Sequence, residues 1–175
     1  MRKVLMVLLV TVLALSPVFA AEKTGFTDLK SKIAIGCSVT GSSASVRFWP
    51  SDNLGVEASI GLAVSDDEVS IPLSAAMLFP IMEKGNFAIN IAPGIGFSYI
   101  RSVAGAFTTS GFTFSAGADL MLEMALPIIS SDLSIGSGIG AWFTFGSSST
   151  NSVANDGNWS INLVTVSPVM LRYYF

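Results

Sequence analysis

Between residues 54 and 64 the chain alternates with a period of two. Leu54, Val56, Ala58, Ile60, Leu62 and Val64 take one parity and Gly55, Glu57, Ser59, Gly61 and Ala63 the other. Successive side chains of a strand point to opposite faces, so this segment reads as a strand with one wholly apolar face. Residues 87–99 repeat the pattern, with Phe87, Ile89, Ile91, Pro93, Ile95, Phe97 and Tyr99 set against Ala88, Asn90, Ala92, Gly94, Gly96 and Ser98. The same parity runs through 32–39, 44–49, 69–79, 112–126, 133–145 and 159–175, which makes eight predicted strands. Several reach the ~9–11 residues that cross a bilayer at a tilt.

The connections fall into two classes that alternate along the chain. Residues 49–53, 79–86 and 126–132 are proline-marked, and proline ends a strand because it has no amide hydrogen for the ladder. Residues 41–43, 65–68, 100–111 and 146–158 are rich in Ser, Thr, Gly and Asn, apart from the acidic Asp66-Asp67-Glu68, and the last two are the longest. Alternate hairpins therefore turn at opposite ends of one antiparallel sheet.

Alternation alone also describes a soluble barrel or sandwich with its apolar face turned inward. The second face separates the two cases. In water it would carry Lys, Glu, Arg and Thr, whereas here it carries Gly, Ser, Ala and Asn with scattered charges. Such small residues suit the narrow lumen of an eight-strand closure. Composition agrees: 51% of residues are hydrophobic and 12% charged, against the ~25–35% charged residues of a soluble surface. No segment beyond residue 20 is apolar for long enough to form a membrane helix, which leaves the other spanning solution, a closed sheet. The expected fold is all-β, an eight-stranded antiparallel up-and-down transmembrane β-barrel. Phe48, Trp49, Phe79, Phe87, Tyr99, Phe112, Phe145, Trp159, Tyr173 and Phe175 stand near the expected strand ends, where aromatic rings form interfacial girdles.

The first residues follow a different grammar. Arg2 and Lys3 precede an apolar run over 4–15 and a small-residue exit ending at Ala20, the pattern of a secretory signal peptide cleaved after Ala20. The expected organisation is a signal peptide over 1–20, a short segment over 21–31 and the barrel over 32–175. Loss of Arg2 and Lys3 leaves seven basic side chains against twelve acidic ones, so nucleic acid is not an expected partner. The single cysteine, Cys37, has no internal disulfide partner and reads as a small apolar strand residue.

Val169, Leu171, Tyr173 and Phe175 alternate to an aromatic terminus. Leu171, Tyr173 and Phe175 resemble the C-terminal signal by which outer-membrane barrels are recognised by their assembly machinery, although Met170 stands where members often carry glycine and Pro168 where they often carry a polar residue. Over residues 31–175 the chain resembles the family of small eight-stranded barrels that includes the transmembrane domain of outer membrane protein A. That resemblance implies an outer-membrane location with both chain ends in the periplasm. Outer-membrane lipid, lipopolysaccharide and the barrel assembly machinery become the expected partners. The proline-marked turns are then periplasmic and the Ser/Thr/Gly/Asn connections extracellular.

The expected inward face gathers Arg47, Glu57, Asp119, Glu123 and Arg172, with Lys32 at its margin. Arg47 and Glu57 flank the Pro50 turn at matching parity and should pair across one hairpin. Buried charge is tolerated when paired, so these side chains read as interior ion pairs. Asp119 and Glu123 stand four residues apart, ~13 Å along a strand, too far for the paired carboxylates of a glycosidase. The chain holds no histidine, the base used by the enzymes to which outer-membrane barrels give rise, and its serines have no evident activating partner. No catalytic, cofactor or metal site is expected, and the sequence reads as that of a non-enzyme. The leading expectation is a structural or surface-interaction role through the extracellular connections. The alternative is a narrow channel for small solutes or hydrophobic molecules, suggested by Gly94, Gly96, Gly136, Gly138 and Gly140 on the inner wall. A third reading, a lumen or lateral groove for a hydrophobic ligand, rests on the family resemblance and on inward Leu78, Met121, Trp142 and Met170.

Overall fold

A computed structural model describes residues 30–39, 42–151, 153–154 and 157–175. The expected signal peptide, its cleavage after Ala20 and most of the segment over 21–31 lie outside these residues. The described chain is all-β: β1 (Ile33–Ser38), β2 (Ser43–Ser51), β3 (Leu54–Gly61), β4 (Ala63–Val64), β5 (Glu68–Lys84), β6 (Phe87–Ala104), β7 (Phe107–Ala125), β8 (Leu133–Thr150), β9 (Val153–Ala154), β10 (Asn158–Val166) and β11 (Met170–Tyr174). Among the described residues no helix is long and apolar enough to cross a membrane.

Each strand pairs antiparallel with its neighbours in an up-and-down order, and β11 pairs back onto β1 to close a ring. β4 extends β3 along β5, β9 forms a short tip on β8, and β10 and β11 succeed one another along β8. The ring therefore has eight strand positions. Closure leaves no edge along β1, β2 or β11, which is how a sheet satisfies its backbone without a partner.

The period-two pattern decides which way each face turns. Ile35, Ile60 and Ile95 point outward and are exposed, while Arg47, Leu78 and Arg172 point inward and are buried. Outward neighbours pack across strands, as in the stacked rings of Phe97 and Phe112, 6.4 Å apart, and of Phe143 and Trp159, 6.5 Å apart. Trp49 corrects the expected aromatic girdle. It faces inward at 1% exposure, and a Cβ at Gly55 would sit 3.1 Å from both Trp49 and Leu78, so the glycine makes room for the indole.

Strands run further than the alternation of hydrophobicity. Residues 100–111, expected as a loop, are mostly the ends of β6 and β7 around a turn at Gly105, whose φ of +60° favours glycine. Beyond Tyr99 and Phe112 polar and apolar side chains no longer alternate strictly, as in Arg101-Ser102-Val103-Ala104, so the hydrophobic signal fades although the hydrogen-bond ladder continues. Similarly β5 passes through Pro80 to Lys84, with a register shift between Pro80 and Met82, and a second shift between Phe48 and Ser51 accommodates Pro50. Pro50 falls inside its shift, whereas Pro80 keeps Asn90 as its partner beside the extra residue Ile81, so both prolines sit where the ladder is locally irregular. The expected final strand over 159–175 is interrupted between β10 and β11, at Pro168.

Candidate functional site

The interior of the ring is closed near the chain termini by side chains from strands remote in sequence. Arg47 on β2 stands at the level of Glu57 on β3, its cross-strand partner in the register. Its Nε donates to Glu57 Oε2 at 2.8 Å and its Nη2 to the same oxygen at 2.5 Å. On the other side Arg47 Nη1 donates to Glu123 Oε2 of β7, and to the hydroxyl of Tyr174 of β11 at 3.1 Å. Tyr174 in turn donates to Glu123 Oε1 at 2.8 Å, and Ser134 Oγ of β8 donates to that oxygen at 2.5 Å. Arg172 Nη2 completes the group, 2.9 Å from Glu57 Oε1 and 3.3 Å from Oε2.

Two guanidinium groups thus meet two carboxylates, and the cluster is electrically neutral. Arg47, Glu123 and Arg172 are almost fully buried. At this depth charges persist only when paired and hydrogen-bonded. Small residues make room for them: Gly136, opposite Glu123 on β8, would bring a Cβ to 3.2 Å from Arg172 Nη1. Trp49, Leu78, Ala34, Ala88 and Tyr174 form an adjoining apolar cluster, and together the two groups plug the lumen near the chain termini.

Of the residues expected on the inner face, the structure brings Arg47, Glu57, Glu123 and Arg172 together. It corrects the position of Asp119, which is not in the ion-pair group. Asp119 lies four residues from Glu123 along β7, a separation of ~13 Å, and binds neutral donors instead: Trp142 Nε1 at 2.7 Å and Ser167 Oγ at 2.6 Å. Among the described residues neither Asp119 nor Lys32 forms an ion pair. Sequence reasoning passed over Tyr174 and Ser134. Tyr174 shares parity with Arg172, so alternation places it inward, opposite to the apolar parity of Tyr173 and Phe175.

At the end of the chain Tyr173 and Phe175 project outward in edge-to-face contact at 5.1 Å, with Leu171 half-buried on the same face. The Phe175 amide donates to the Ile33 carbonyl at 2.8 Å, tying the terminus to β1. At the opposite end the hydroxyls of Thr109 and Thr150 meet at 3.1 Å and those of Ser110 and Ser149 at 3.3 Å, so the tall ends of β7 and β8 are joined by cross-strand hydroxyl pairs. The acidic turn over 66–68 is ordered by backbone bonds, with Ser65 donating to Glu68 and Val103 to Asp67. No group of three or more His, Cys, Asp or Glu among the described residues is arranged to hold a metal ion. No protein-family model matches this chain, and no curated protein matches it.

Proposed function

We propose that this chain spans a bacterial outer membrane as an eight-stranded β-barrel with a structural and surface-interaction role. The observation that carries the reading is the inversion of the usual soluble arrangement. Aliphatic and aromatic side chains such as Ile60, Ile95, Phe114 and Ile139 form the exposed outer face, whereas the charged groups Arg47, Glu57, Glu123 and Arg172 lie inside. An apolar outer band against lipid, a ring closed between β11 and β1 and an interior neutral ion cluster support a spanning sheet. The N-terminal signal pattern and the aromatic chain end support export and assembly in that membrane. A lumen plugged near the chain termini by the ion cluster favours structure over conduction, because eight strands enclose little more than their own side chains. The strands rising past Tyr99 and Phe112 then project a stiff, hydroxyl-bearing sheet from the cell, suited to polar contacts with surface partners or lipopolysaccharide.

Two measurements test this. Folded into detergent or lipid, the chain should migrate differently on gels before and after boiling, and it should give no steady conductance in a planar bilayer. Identical migration and a soluble monomer without detergent would refute the membrane reading. Stepwise conductance would replace the structural role with that of a narrow channel.

A further inference from the structure

Above the ion cluster the ring is incomplete on one side. β10 pairs with β8 and, among the described residues, comes close to no other strand, so its second edge is free over Asn158–Val166. The neighbouring position is low because β1 ends at Ser38 and β2 begins at Ser43, while β4 across the gap pairs, among the described residues, only with β5. Inward-facing Pro72 and Ser74 of β5 are accordingly exposed. On the free bank Leu163 and Val164 occupy a bulge between Asn162 and Thr165 and are 75% and 81% exposed.

Behind this notch lies a cavity of about 290 Å³ whose lining includes Ser74, Ser98, Thr113, Ser115, Asp119 and Trp142. Its walls reach from Pro72 on one bank to Val166 on the other. Asp119 also borders an apolar groove of about 440 Å³ on the outer face, with Ile139, Gly140, Leu163 and Val164. Gly140 has no side chain, so the wall there is thin. A carboxylate with two neutral donors and no cation among the described residues therefore stands between a polar cavity and an apolar exterior.

We propose that this notch is a lateral binding site for a single-chain amphiphile with a cationic, hydrogen-bond-donating head group, taken up from the surrounding bilayer. The inference rests on the membrane-spanning reading and adds to it a ligand and a route. Unpaired strand backbone at membrane depth is tolerated where it lines a water-filled cavity, so the free edge of β10 marks the place where lumen water meets the apolar layer. An amphiphile matches that boundary: its ammonium reaches Asp119 and the hydroxyl-lined cavity, and its chain leaves past Leu163, Val164 and Val166. An anionic head is repelled by the unpaired carboxylate, whereas an ammonium gains a charge-assisted hydrogen bond.

The test is a titration of the full chain, folded in phosphatidylcholine nanodiscs, followed through its tryptophan indole N–H signals by NMR. Decylammonium should shift the Trp142 signal saturably and more than that of lipid-facing Trp159, and decyl sulfate should leave Trp142 in place. Ethylammonium, which has the head without the chain, should bind more weakly, as should decylammonium to Asp119→Asn, by on the order of tenfold or more. The two decyl probes on the unaltered chain decide the matter independently of how well the variant folds. Equal shifts with both decyl probes, or none at Trp142, would overturn the site. So would two copies per disc joined along β10, because a second copy would then occupy the edge. Absence of a heat-modifiable folded form in the discs would instead overturn the membrane reading beneath it.

Discussion

Arg47 and Glu123 stand 76 positions apart in sequence and form an ion pair across the interior of the ring, from β2 to β7. The pair joins walls that share no hydrogen-bond ladder, so it closes the lumen and braces the ring together. Replacing one member leaves the other buried in an unbalanced cluster, which costs about 3–5 kcal/mol. Arg47→Met and Glu123→Leu should each lower the urea midpoint of unfolding in micelles by that order. The double variant should recover much of the loss, because Arg172 and Glu57 remain paired. Additive losses in the double variant would show that the two side chains are not coupled.

Tyr174 allows a finer test because its hydroxyl both donates to Glu123 and accepts from Arg47. Tyr174→Phe keeps the ring and removes only the oxygen. With two buried charged partners each losing a bond, the expected destabilisation is about 1–3 kcal/mol. Tyr173→Phe, on the exposed outer face, should leave the unfolding midpoint unchanged; equal effects of the two substitutions would mean that the hydroxyl of Tyr174 is not engaged.

The sequence made the sheet legible where one face is apolar and the other small, as over Leu54, Val56, Ala58 and Ile60, and parity alone oriented Arg47, Glu57, Glu123 and Arg172 inward. It was silent wherever hydrophobic contrast fades while the ladder persists, which is why the upper parts of β6 and β7 read as loop. Prolines misled for a related reason. Pro80 lies inside β5, paired with Asn90 beside the bulged Ile81, and does not end the strand. Parity gives a side chain's face but not its partner, so it cannot separate Asp119 from the cations that the register places elsewhere along the wall. The notch beside β10 depends on the relative heights of β1 and β8, a property of closure that no local window contains.

Gly105 and Gly140 are required for different reasons and should respond differently to the same methyl group. At Gly105 a Cβ meets nothing within 4 Å, and the demand is the left-handed φ of +60°. Gly105→Ala should cost about 1 kcal/mol and leave the interior untouched. At Gly140 a Cβ would collide with the Asp119 carboxylate and the Ala118 carbonyl oxygen. Gly140→Ala should cost about 1–3 kcal/mol and move the Trp142 indole signal, since Asp119 must shift to admit it. Unfolding midpoints and that one NMR signal distinguish the two, and a Trp142 signal that moves in Gly105→Ala would contradict the assignment.

Cys37 tests the orientation of the wall with no mutation at all. It is exposed on the outer face of β1, opposite Leu171 of β11 and between the exposed Ile35 and Val39. If this face meets lipid, a charged maleimide must enter the apolar layer to reach the thiol, and a charge there costs ~2.5–3.5 kcal/mol. Labelling of the chain folded in bilayers should then be on the order of 100-fold slower than labelling of the urea-unfolded chain. A small neutral maleimide should react with both. The same surface exposed to water would label at nearly the unfolded rate with either reagent, since nothing in the ring covers the sulfur. Fast reaction of the folded chain with the charged reagent would therefore place the outer face in water and end the inside-out reading, whatever the gel migration shows.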